Sequence, residues 1–115
     1  MKLVIDFETR SVCDLKKVGS SVYAQHPDTL PMVLSVLSIK EDGGHDEPRV
    51  WVNKHFRKLY DTEIQDNELD ILLQTADRII IHNMFFEMSI WHYIMVARYG
   101  FRPLDVRKVH DTMTS

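Results

Sequence analysis

Asp6 and Glu8 stand two residues apart at the end of a short apolar run, Leu3-Val4-Ile5-Asp6-Phe7-Glu8-Thr9. Successive side chains of an extended chain alternate faces, so both carboxylates point to the same side. In a low-dielectric site such a pair repels unless a proton or a cation intervenes. Hard divalent cations such as Mg2+ or Mn2+ take oxygen ligands and would relieve that repulsion. The same pair would be equally at ease as hydrated acids where a strand runs out into solvent. A third acid lies in Ile81-His82-Asn83-Met84-Phe85-Phe86-Glu87. Helical spacing there puts Asn83, Glu87, Trp91 (or Ile90) and Ile94 on one face. Glu87 falls in an otherwise apolar stripe, where an unpaired carboxylate is costly. A cation, a donor or a proton would satisfy it, and so would an ion pair with Arg98 or Arg78. Asn83 could simply cap the helix.

These acids must be carried by elements that the pattern also suggests. Residues 2–8 read as a first strand, with Val4, Ile5 and Phe7 apolar on both faces, as in a central strand covered on both sides. Residues 10–30 lose periodicity and gather Ser, Gly and Pro, which reads as a long loop with at most one helical turn near Asp14-Leu15-Lys16-Lys17. Residues 32–40 and 49–52 form an antiparallel hairpin around the turn cluster Glu41-Asp42-Gly43-Gly44-His45. The basic run at residues 54–58 reads as a solvated connector. A helix capped by Asp66 or Asn67 follows, with Leu69, Leu72, Leu73 and Ala76 at its period. Residues 78–82 form a continuous β-branched run, the mark of a buried parallel strand. Asn83 opens a longer helix to about Tyr99, which Gly100 stops, and residues 106–111 read as a fifth strand. This order suggests a mixed α/β sheet with one antiparallel strand. In open α/β sheets the carboxyl ends of parallel strands meet at one edge, so Asp6, Glu8, Asn83 and Glu87 should converge there.

Composition narrows the partners. The chain has 115 residues, 44% hydrophobic, enough for one small globular domain and no more. A net charge of -3 gives no bulk positive field, so a nucleic acid would have to be held by a local patch or by metal ions. The single Cys13 suits a reducing compartment, and no signal peptide or long apolar run is evident. A cytoplasmic protein with no membrane contact is the expectation. The six histidines show no paired spacing with Cys13 that would suggest zinc, and the methionines of the long helix read as core filler.

Taken together, the two acidic motifs resemble those of a known family. Asp6-Phe7-Glu8-Thr9 resembles the first motif, Asp-x-Glu-Thr, of the DnaQ-like (DEDD) 3′–5′ exonucleases. His82-Asn83-Met84-Phe85-Phe86-Glu87 is similar to their second, His-Asn-x-x-Phe-Asp, with Glu in the last place. The flavour is that of the proofreading domain of phage-type family A DNA polymerases, where an Asp-Leu, a Gly and a Tyr follow, as at Asp14-Leu15, Gly19 and Tyr23. A later Asp-Thr-Met recurs at Asp111-Thr112-Met113. The family's third motif, a Tyr or His followed by a fourth metal-binding Asp, has no counterpart here, since Asp111 matches a position between the second and third motifs. Asp111 is better taken as a strand-end residue capping a helix that the sequence does not complete.

The resemblance implies an RNase H-like sheet, present as the N-terminal part of an exonuclease domain, and phosphodiester hydrolysis by two Mg2+ or Mn2+ ions. Asp6 would bridge both ions, Glu8 would bind one, and Glu87 would hold the other. Thr9 is expected near the terminal nucleotide, Asn83 beside it, and Phe86 and Tyr23 against a frayed base, although packing alone would also explain both rings. The implied partners are a single-stranded DNA 3′ end, with RNA open, and a polymerase portion or companion chain that supplies the third motif. That setting is DNA replication in a bacterial or phage-infected cell. Without the third motif's base the chain alone should hydrolyse poorly. A catalytically inactive remnant, binding single strands or a companion chain, is the alternative. Apolar surface along the fifth strand and the long helix should then be left exposed.

Overall fold

In the computed structural model, which describes residues 1–112, the N-terminal apolar run becomes β1 (Lys2–Arg10). Leu3, Ile5 and Phe7 are buried, whereas Lys2, Asp6 and Glu8 are exposed, the alternation of a strand with one covered face. β2 (Leu30–Ile39) lies antiparallel beside β1, and β3 (Arg49–Val52) antiparallel beside β2. On the other side β4 (Arg78–Ile81) runs parallel to β1, and β5 (Val109–Asp111) parallel to β4. The order β3-β2-β1-β4-β5 therefore has one reversed strand, β2, as the pattern suggested.

Three helices accompany the sheet: α1 (Leu15–Gln25), α2 (Asp66–Thr75) and α3 (Met84–Ile90), the last continuing as a π-helix over Trp91–Val96. Leu3, Ile5, Phe7, Leu34, Val36, Trp51, Ile79, Ile81 and Val109 form one cluster with the buried residues of these helices. These strand residues share one face by alternation and register, so the helices gather on that face. The opposite face carries a small second cluster, Val33, Val52 and Phe56, at the β2–β3 corner. β1 is thus covered on one face, not on both. The apolar groups on its other side, such as Val4, are half-buried among strand neighbours.

Four local expectations are corrected. Residues 15–25 are helical: the Asp14 side chain accepts from the Lys16 N–H and starts α1, and the helix is broken by Gly19 at φ 80. Only Tyr23 and Ala24 of α1 are buried, so it leaves almost no apolar periodicity to detect. The basic run at 54–58 is more than a connector, because Lys54–Phe56 forms a 3-10 turn that seats Phe56 in the second cluster. Gln65, not Asp66 or Asn67, occupies the cap position of α2; the Asp66 carboxylate accepts instead from the Trp51 indole N–H at 2.7 Å and from Arg57. Val106–Lys108 is a 3-10 turn capped by Asp105, which leaves β5 only Val109–Asp111.

The long helix is held by aromatic packing. Trp91, 2% exposed, lies with its ring centroid 6.4 Å from Phe7 and 5.5 Å from Phe101. Its indole N–H donates to the Arg102 carbonyl at 2.9 Å. Trp91→Ala is predicted to cost about 3–5 kcal/mol in urea unfolding. Val12→Ala, at an exposed position, should stay within about 0.5 kcal/mol of the parent. A Trp91→Ala cost below that of the surface control would contradict this packing.

Candidate carboxylate site at the split between two strands

β1 and β4 pair only over Lys2–Val4 and Arg78–Ile80, after which β4 ends and β1 runs on. From their carboxyl ends the chain departs in opposite directions. β1 leads through α1 to β2 on one side, and β4 leads through α3 to β5 on the other. In open α/β sheets ligands bind at such divergences. Phe7 lies past the paired stretch, and its backbone N–H donates to Glu87 Oε1 at 3.3 Å. The carboxylate takes up a donor that β4, had it continued, would have faced.

Glu87 is 3% exposed, in the first turn of α3. Neither arginine considered as its partner pairs with it. Arg98 donates instead to the carbonyls of His26, Pro27 and Thr29, and Arg78 is exposed on β4. Glu87 Oε2 is buried with no hydrogen-bond partner among the described residues. Burial pushes the carboxyl up to about 8 from 4.5; the Phe7 N–H works against the rise, and the neighbouring Asp6 carboxyl adds to it. Asp6 therefore faces Glu87 closely enough to disfavour its charge. Two carboxyl groups this close repel when both are ionised, and a proton or a cation would relieve that repulsion.

The other expected residues are placed as follows. Glu8 is exposed on the same face as Asp6, one pleat further on, beside a register shift between Glu8 and Thr9. The Thr9 hydroxyl shares a 2.7 Å hydrogen bond with the Tyr23 hydroxyl. Tyr23 is buried, its ring centroid 6.0 Å from that of half-buried Phe86. Asn83 is the cap of α3, its side chain accepting from the Phe86 N–H at 3.2 Å. The structure thus joins Asp6 with Glu87 and Thr9 with Tyr23 and Phe86. Among the described residues, no group of three or more His, Cys, Asp or Glu side chains is arranged to hold a metal ion.

Two contributors escaped the sequence pattern. Phe7 matters through its backbone, which no side-chain motif reports. Asp111 accepts from the Met84 N–H at 2.8 Å and so caps α3 from the end of β5. It is a strand-end cap as expected, but of the helix that carries Glu87. Asn83 and Asp111 together hold that helix start where β1 and β4 part. Met113, which completes the Asp-Thr-Met run, lies outside the described residues. No helix among the described residues is long and apolar enough to cross a membrane. No protein-family model matches the chain, and no curated protein matches it either.

The raised pKa of Glu87 has a definite sign for stability. Between about 4.5 and about 8 the unfolded chain ionises this group while the folded chain keeps it protonated. The folded state therefore binds more protons, and stability falls as pH rises through that window. Wild type should lose a few kcal/mol, roughly 2–4, between pH 5 and pH 9 from this group. Glu87→Gln, neutral throughout, should shrink that loss. Urea unfolding at the two pH values checks it, and an equal loss in both proteins would contradict it.

Proposed function

We propose that the chain is an exonuclease-type domain of RNase H-like fold, hydrolysing nucleic-acid 3′ ends with Mg2+ or Mn2+ held at Asp6, Glu8 and Glu87. The observation that carries this reading is the buried Glu87 carboxyl, beside Asp6 where β1 and β4 part, with its Oε2 unpartnered among the described residues. The residues fit a hard cation in kind: carboxylate oxygens, one of them dry and unsatisfied. When bound, divalent cations would acidify a water and offset charge on the phosphodiester. The chain's own part is to hold the acids in place. Phe7 fixes one oxygen of Glu87, Asn83 and Asp111 fix the start of its helix, and the Thr9–Tyr23 bond fixes the end of β1. The exposed edge of the Phe86 ring offers an apolar surface for a terminal base. A third-motif base and fourth acid would come from a polymerase portion or a companion chain.

A second reading, a catalytically inactive module that binds single strands or a companion chain, has one observation in its favour. No third ligand joins Asp6 and Glu87 among the described residues. A 3′-labelled single-stranded oligonucleotide in Mn2+ separates the two. Slow shortening from the 3′ end that chelator abolishes and Asp6→Ala lowers by about 100-fold or more supports hydrolysis. Binding without shortening supports the module. Cleavage equal in wild type and Asp6→Ala would refute the assignment of the acids, and parallel DNA and RNA strands would give the polymer preference.

A further inference from the structure

The uncovered sheet face has an ordered charge pattern. On β1, Lys2, Val4, Asp6 and Glu8 point to it, and the cross-strand register places Arg78 beside Lys2 and Ile80 beside Val4. Leu37 flanks Val4 on the other side. The face thus runs from a cationic end through an apolar middle to an acidic end. Neither end is neutralised by an ion pair among the described residues. Lys2 and Arg78 have no acidic partner among the described residues, and Asp6 and Glu8 have no basic one. Like charges directly opposite each other on neighbouring strands are destabilising.

We infer that a second copy of this chain packs on this face about a two-fold axis passing by Val4 and Ile80. The register makes the fit self-complementary. Lys2 and Asp6 lie two residues either side of Val4, so a two-fold there sets Lys2 of each copy over Asp6 of the other. Arg78 falls beside that contact, diagonal to the same acid. The half-buried Val4, Leu37 and Ile80 meet their own counterparts at the centre. This is an isologous interface, each contact made twice. The sheets would pack face to face about 10 Å apart with strands nearly aligned. In such a dimer Asp6 is covered, so this acid serves either the self-contact or an outside ligand. Dilution frees it.

Sedimentation equilibrium of the full chain, with circular dichroism to confirm folding of each variant, tests this. Wild type should show a concentration-dependent monomer–dimer equilibrium. Ile80→Glu, at a half-buried position away from the helices, should weaken it at least about tenfold. So should Lys2→Glu with Arg78→Glu, two exposed positions that leave the core untouched, again by about tenfold or more. Adding Asp6→Lys to that pair exchanges the charges of the Lys2–Asp6 contact and should restore association. A wild-type chain that stays monomeric at hundreds of micromolar, or a dimer indifferent to Ile80→Glu, overturns the inference. A reversed chain that fails to recover overturns the pairing of the two ends.

Discussion

The arrangement depends on one constraint: a carboxylate buried where two parallel strands stop pairing. β1 outruns β4, and the backbone donor thus exposed at Phe7 needs an acceptor that the sheet does not provide. Glu87 provides it from the first turn of α3. Doing so brings the carboxyl out of water and against Asp6, where its charged form is disfavoured. One oxygen is used and the other is not. A stable fold has cheaper ways to satisfy one N–H, since an amide side chain would do so without a charge to desolvate. That cost is what favours the proposed role of this acid as a binding group.

The surrounding structure keeps that helix turn where it is. α3 is capped twice at its start, by Asn83 from its own chain end and by Asp111 from β5. Its continuation is pinned by Trp91 between Phe7 and Phe101, and near its end Arg98 grips the carbonyls that follow α1. Asn53, buried at the β3 corner, reaches the Pro31 carbonyl and the Tyr99 hydroxyl and ties the helix end to the sheet. The helix is therefore anchored at both ends and in its middle, with Glu87 in its first turn. Exposed apolar groups are also present: Phe85 is 83% exposed on α3, whereas Val109 of β5 is buried and the exposed neighbour there is Val106. The open surface expected along the long helix and residues 106–111 is thus found at Phe85 and Val106 but not at Val109.

Much of this was legible in the sequence, for physical reasons that also explain the gaps. The β-branched run at 78–81 and the acid-ended run at 2–8 could hardly be anything but strands, and the single reversed strand follows from one hairpin. Glu87 stood out because a charge in an apolar helical stripe has to be explained. What stayed hidden depends on long-range contacts. α1 buries only Tyr23 and Ala24 and is broken at Gly19, so it has no stripe to read. The single covered face of β1 could not be told from Val4, Ile5 and Phe7, because strand neighbours half-bury Val4 without any helix above it. The ion-pair alternatives for Glu87 fell away because Arg98 turns to backbone carbonyls and Arg78 is exposed, which no local spacing encodes.

The proposed function rests on Asp6 and Glu87 holding a cation between them. Calorimetric titration of Mn2+ into the chain at neutral pH, alongside Glu87→Gln and Asp6→Asn, tests it most directly. The account predicts saturable binding by wild type with release of protons, weakened at least about tenfold in each variant. Equal binding by all three proteins, or none by wild type, would contradict it.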